Sequence, residues 1–62
     1  MTYYDVDRLR ATAMGHEVLQ SLATTNLREA EAVMRAWSES LGDGEAIRLV
    51  DGRTGQLIQA VG

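Results

Sequence analysis

The sequence predicts an α+β fold: an N-terminal helix, a central amphipathic helix over about 27–41 and a C-terminal β-hairpin over about 46–61. Three observations carry it. One apolar stripe recurs at helical spacing in the middle of the chain. Two β-compatible runs flank an Asp-Gly-Arg-Thr-Gly turn near the end. The first third is rich in helix-forming residues.

The central helix is the clearest element. Asn26 is a favoured N-cap, and Glu29 three residues on completes a capping-box-like pair. Leu27, Ala30, Met34, Trp37 and Leu41 then follow at spacings of three and four, the signature of one buried face. Arg28, Glu31, Arg35 and Glu39 lie opposite. Glu31 with Arg35, and Arg35 with Glu39, are spaced for i,i+4 ion pairs of about 0.2–0.5 kcal/mol each. Gly42 and Gly44 mark the helix end.

The hairpin comes next in clarity. Ala46–Val50 and Gln56–Val61 are β-compatible, and Asp51-Gly52-Arg53-Thr54-Gly55 lies between them. Asp51 opens a turn, and Gly55 can take the left-handed conformation that closes a bulged loop. The expected core is Leu27, Met34, Trp37, Ile47, Leu49 and Leu57.

The N-terminal third reads two ways. Leu9, Ala11, Ala13, Met14, Glu17, Leu19, Gln20 and Leu22 favour a helix, with Ala11, Met14, Val18 and Leu22 on one face. Gly15 interrupts that run at a cost of about 1 kcal/mol. The alternative is ββαββ, with strands near 3–7 and 18–23, because Tyr4 and Val6 alternate with Asp5 and Asp7. The connection Arg10–Gly15 carries little turn chemistry beyond its glycine, which tips the reading toward helix.

The chain forms one small domain, residues 1–62. Chains this short bury only about 60% of their unfolded surface and usually need a staple. Cysteine is absent and histidine occurs once, so disulfides, thiolate metal sites and multi-histidine sites are excluded. Self-association or a bound partner is the staple left. The net charge is −3 and all six basic residues are arginine, a balance that disfavours nonspecific binding to nucleic acid or anionic membranes. No apolar run approaches membrane-spanning length, and no basic region precedes a hydrophobic stretch near Met1. A cytoplasmic location is the expectation.

Catalytic signatures are missing. His16-Glu17 resembles the start of a zinc-protease motif, but Gln20 stands where the second histidine belongs. Ser21, Ser38 and Ser40 have one histidine to share and no local signature around it. Asp5/Asp7 suits a solvated helix start and Glu29/Glu31 the polar face of a helix. Gly42-Asp43-Gly44 and Gly52-Arg53-Thr54-Gly55 fall short of nucleotide-binding loops. No enzyme activity and no cofactor are expected.

The expectation is a small non-catalytic protein-binding module acting by stoichiometric association with another protein or with itself, as a homodimer. Inhibitors encoded by phages and mobile elements, anti-CRISPR proteins among them, share this format by size alone. Tyr3 and Tyr4 are candidate aromatic anchors. Arg53 sits at the turn tip. Leu57, Gln59 and Val61 lie on a final strand that could dock by strand addition. One alternative is a DNA-binding regulator with the hairpin as a wing. Against it, nucleic acid is an unfavourable partner at this charge. The other is a small structural or self-assembling subunit.

Overall fold

A computed structural model describes all of the chain, Met1–Gly62, as ββαββ. The order is β1 (Tyr4–Thr12), β2 (Gly15–Thr24), α1 (Leu27–Ser38), β3 (Glu45–Asp51) and β4 (Leu57–Val61). The strands form one antiparallel sheet in the order β2-β1-β3-β4. The N-terminal helix expected from composition does not form. Residues 4–24 are a long hairpin, and the alternative strands near 3–7 and 18–23 are the cores of its two arms.

Two local features let this hairpin form from helix-prone residues. Its loop is only Ala13-Met14, closed where Thr12 pairs with Gly15. Gly15 supplies a φ of +132°, which a residue with a Cβ adopts poorly, and Thr12 Oγ1 accepts from the Met14 amide at 3.3 Å. The second feature is a bulge. Arg8 pairs with Gln20 but Leu9 pairs with Val18, so Leu19 is the extra residue in β2. It breaks the alternation that would have identified a strand.

The pairing of β1 with β3 is regular from Tyr4↔Asp51 to Arg10↔Glu45. Because side chains alternate along a strand, Val6, Leu49 and Ile47 share one face. Helix α1 covers that face with Ala30 and Met34, and these five side chains are the core cluster. Tyr4, Val33, Trp37, Leu41 and Val61 pack around its margin. Met34, Ile47 and Leu49 are buried as expected, and Trp37 is half-buried. Leu27 and Leu57 are not core. They are 38% and 54% exposed, Leu27 as the first residue of the helix and Leu57 as the first residue of the edge strand. Leu9 is buried away from this cluster, paired with Val18 and Ala46 on the face the helix leaves open.

The helix starts as the sequence predicts. Asn26 Oδ1 accepts from the amides of Arg28 and Glu29 at 3.0 and 3.3 Å. The return half of the capping box is made by a different residue. The Asn26 amide donates to Thr24 Oγ1 at 3.1 Å, so Glu29 is not needed there. The helix ends at Ser38, short of the expected 41, and Ser40 and Leu41 donate to Trp37 and Ser38 carbonyls in a tightened last turn. Gly44, with φ +74°, turns the chain into β3.

The second hairpin follows its sequence signature. Asp51 Oδ1 accepts from the Arg53 and Thr54 amides, and the Gly55 amide donates to the Asp51 carbonyl at 2.7 Å with φ +77° at Gly55. A second bulge lies here. Leu49 pairs with Gln59 and Val50 with Leu57, leaving Ile58 as the extra residue.

One polar clamp ties four segments together. Arg8 projects from β1 onto the helix side of the sheet, where its Nε donates to Glu45 Oε1 of β3 at 2.7 Å. Its Nη1 donates to Gln20 of β2 at 3.3 Å and to Ser40 Oγ at 3.2 Å, and its Nη2 donates to the Ser40 carbonyl at 2.6 Å. The Arg8 and Glu45 side chains are only 14% and 15% exposed, so this pair is sheltered from solvent.

Candidate docking edge and groove

The sheet has two edges, β2 and β4. Helix α1 lies chiefly across β1, β2 and β3, and of β4 only Val61 packs against the core cluster beneath it. Between the helix and β4 lies a groove of about 190 Å³. Its lining is Glu31, Met34, Arg35 and Ser38 from the helix and Gln59 and Val61 from β4. The local sequence explains the geometry. Glu31, Met34, Arg35 and Ser38 recur at three- and four-residue spacing and so share the helix side facing β4. Gln59 and Val61 pair with Leu49 and Ile47 and therefore point to the helix side of the sheet.

The electrostatics of the groove are set by charges with no partner in the chain. The only ion pairs are Arg8–Glu45 and Arg10–Glu17. The intrahelical pairs expected of Glu31 with Arg35 and of Arg35 with Glu39 do not form. Glu31 and Arg35 thus stand free on the groove wall, above a floor of Met34 and Val61. The main chain of β4 on its outer side has no strand neighbour.

The six residues singled out from sequence are divided by the structure. Gln59 and Val61 line the groove, and Leu57 lies exposed on the same edge strand. Arg53 lies in the β3–β4 turn, and Tyr3, just before β1, packs against that turn. The Tyr3 carbonyl accepts from the Gly52 amide at 2.8 Å, and the Tyr3 ring occupies the space a Cβ at Gly52 would need. Tyr4 packs at the margin of the core, which removes it as an anchor. Sequence reading missed Glu31, Arg35 and Ser38. Their shared spacing was visible, but only the strand order shows that this side of the helix looks onto an edge.

Serine chemistry is committed elsewhere. The Ser21 hydroxyl donates to Asp7 Oδ1 at 2.7 Å, and those of Ser38 and Ser40 donate to carbonyls of the last helical turn. His16 pairs across the hairpin with Ala11, five residues along β2 from Ser21. No three His, Asp or Glu side chains are grouped closely enough to hold a metal ion. The Glu45 carboxyl has a shifted pKa. It is lowered, first by the hydrogen bond from Arg8 and then by one from the Gly42 backbone. No helix is long and apolar enough to cross a membrane. No family model, curated protein or solved structure matches the chain.

Proposed function

We propose that this chain is a non-catalytic protein-binding module that takes an extended protein segment along β4 and seats its side chains in the groove beside α1. The carrying observation is the coincidence of an open strand edge with that groove. Strand addition uses both parts. Main-chain hydrogen bonds supply affinity, and pockets for alternate side chains supply selectivity. The reading is supported by exposed Leu57 and Ile58 on the same strand, and by serine hydroxyls already engaged in structural hydrogen bonds. A net charge of −3, with Arg28, Arg35, Arg48 and Arg53 scattered over helix, sheet and turn, does not favour the DNA-binding alternative.

The test compares tagged wild-type chain with Gln59→Lys, recovered after cross-linking in the cells of origin. Gln59 is exposed, so the variant should keep its circular dichroism spectrum. A lysine on an edge blocks strand pairing. Wild type should retain a protein, another chain or an untagged copy, in fixed stoichiometry, and Gln59→Lys should lose it. Equal recovery by both would rule out the edge as the binding site.

A further inference from the structure

We propose that Asp43-Gly44, in the loop between α1 and β3, is a site of spontaneous isoaspartate formation, and that the fold protects the chain's other Asp-Gly step, Asp51-Gly52.

In sequence the two steps carry the same chemistry. A glycine after an aspartate has no Cβ to obstruct its own amide nitrogen. That nitrogen attacks Cγ of the aspartate, the carboxyl oxygen leaves as water, and a cyclic imide forms. Water then adds back. Opening at Cγ restores aspartate. Opening at the main-chain carbonyl leaves the peptide running through Cγ, with the α-carboxylate as the new side group. One water is lost and one regained, and no oxidant or cofactor takes part. Asp5, Asp7 and Asn26 precede Val6, Arg8 and Leu27, whose side chains hinder the attack.

The structure separates the two steps. Asp51 and Gly52 are half-buried. The Gly52 amide, the nucleophile of the reaction, donates to the Tyr3 carbonyl at 2.8 Å. Asp51 Oδ1 accepts from the amides of Arg53 and Thr54 at 2.8 and 3.2 Å, which fixes the carboxyl in the turn. The Tyr3 ring fills the space that a Cβ at Gly52 would need, so the peptide has no room to swing toward the carboxyl.

None of these restraints acts at the other step. Asp43 and Gly44 are both exposed. Nothing lies within 4 Å of the position a Cβ would take at Gly44. The Asp43 carboxylate has no ion-pair or hydrogen-bond partner, and the Gly44 amide donates to no carbonyl. The turn is closed by the Glu45 amide, which donates to the Gly42 carbonyl at 3.2 Å. That bond leaves the Asp43–Gly44 peptide between its ends free to rotate.

The rearrangement places the Asp43 side-chain methylene in the main chain just before β3. The Gly44 carbonyl there accepts from the Ala11 amide at 2.8 Å, and the next residue, Glu45, holds Arg8 at 2.7 Å. A longer main chain shifts both groups against β1, so the modified form loses the end of the β1–β3 ladder and the Arg8 clamp.

The test ages the full chain at neutral pH beside a copy kept unfolded in urea, and maps both with trypsin. Cleavage after arginine puts the two steps on different peptides, Ala36–Arg48 and Leu49–Arg53. Electron-transfer fragmentation distinguishes isoaspartate from aspartate at equal mass. The unfolded copy, in which both steps react at comparable rates, sets the incubation time. In the folded chain the product at Asp43 should exceed that at Asp51 by roughly tenfold or more. Asp43→Glu should remove that product and keep the melting temperature constant on ageing, whereas aged wild type melts lower. Tyr3→Ala should raise the Asp51 product and leave Asp43 unaltered, with circular dichroism confirming its fold. If Tyr3→Ala does not fold, the wild-type ratio alone decides. Equal products at the two sites of the folded chain overturn the inference. So does a folded chain that protects Asp43 as fully as Asp51 while the unfolded copy reacts.

Discussion

Arg8 does more for this fold than its charge suggests. A lone arginine facing a hydrophobic layer would be costly, yet it reaches partners on β2, β3 and the post-helix loop. The reciprocal consequence appears at Glu45, whose carboxyl is held below its ordinary value of 4.5 chiefly by the Arg8 hydrogen bond. A carboxylate with a lowered folded-state pKa contributes stability that is fully present above the ordinary value. That contribution is lost as pH falls through the folded-state value. The melting temperature of wild type should therefore drop more steeply than that of Glu45→Gln below about pH 4.5, with the variant less stable at neutral pH. Parallel slopes in thermal melts would show that the clamp is energetically silent. Gly55 provides a second residue-scale test. Its φ of +77° lies in open space, so Gly55→Ala meets no neighbour and suffers only the backbone penalty. The expected cost is about 1–2 kcal/mol in urea denaturation, with Gly55→Asn milder.

At the scale of elements, legibility depended on whether a stretch had one buried face or two exposed ones. Helix α1 buries Ala30 and Met34 against the sheet and is capped by Asn26. Both periodicity and cap were readable. The β3–β4 turn was readable because Asp51 and Gly55 have few other uses in that spacing. Hairpin β1–β2 was not. Most of β2 is solvent-exposed on both faces, its bulge at Leu19 places Val18 and Leu19 side by side, and its loop is Ala13-Met14, with neither asparagine nor proline. Residues such as Leu9, Leu19 and Gln20 then express a helix preference that tertiary pairing overrides. Asn26→Ala should cost about 1 kcal/mol by removing the acceptor for two amides. Met34 is 2% exposed, so Met34→Ala should cost about 2–5 kcal/mol. Leu27→Ala should cost distinctly less, because Leu27 is already partly in water. Half-buried Trp37 falls between them. A denaturation series in which Leu27→Ala matched Met34→Ala would contradict the core boundary. The candidate site was half legible for the same reason. Gln59 and Val61 announced themselves as strand residues, whereas Glu31, Arg35 and Ser38 read as an ordinary polar helix face until the neighbouring strand was known.

The whole molecule is a flattened slab, 35 × 24 × 15 Å, with a radius of gyration of 11.3 Å against about 10.6 Å for a compact chain of this length. One helix on one side of one sheet produces that shape. Only 6 of 62 residues are buried, so little stability is held in reserve. An antiparallel sheet tolerates water on one face, and the open face here mixes Leu9, Val50 and Ala46 with Asp5, Asp7 and Arg48. That mixture lets the open face stay solvated and leaves the β4 side as the place where added contacts matter most. A protein segment bound along β4 should therefore raise the melting temperature as its concentration rises. A concentration-independent melt would place the missing stability elsewhere.

The two central strands, β1 and β3, also carry a kinetic consequence. Each hairpin closes over a short loop, two residues in the first and five in the second, so each can zip locally. Joining them requires Val6 to find Leu49 across the helix and the Gly42–Gly44 segment. That long closure is the slow step in the assembly of the sheet. Lengthening the Gly42–Gly44 segment with flexible residues should slow refolding only logarithmically, while Leu49→Ala should both slow refolding and hasten unfolding. Stopped-flow fluorescence of Trp37, which packs at the edge of that junction, follows the event directly.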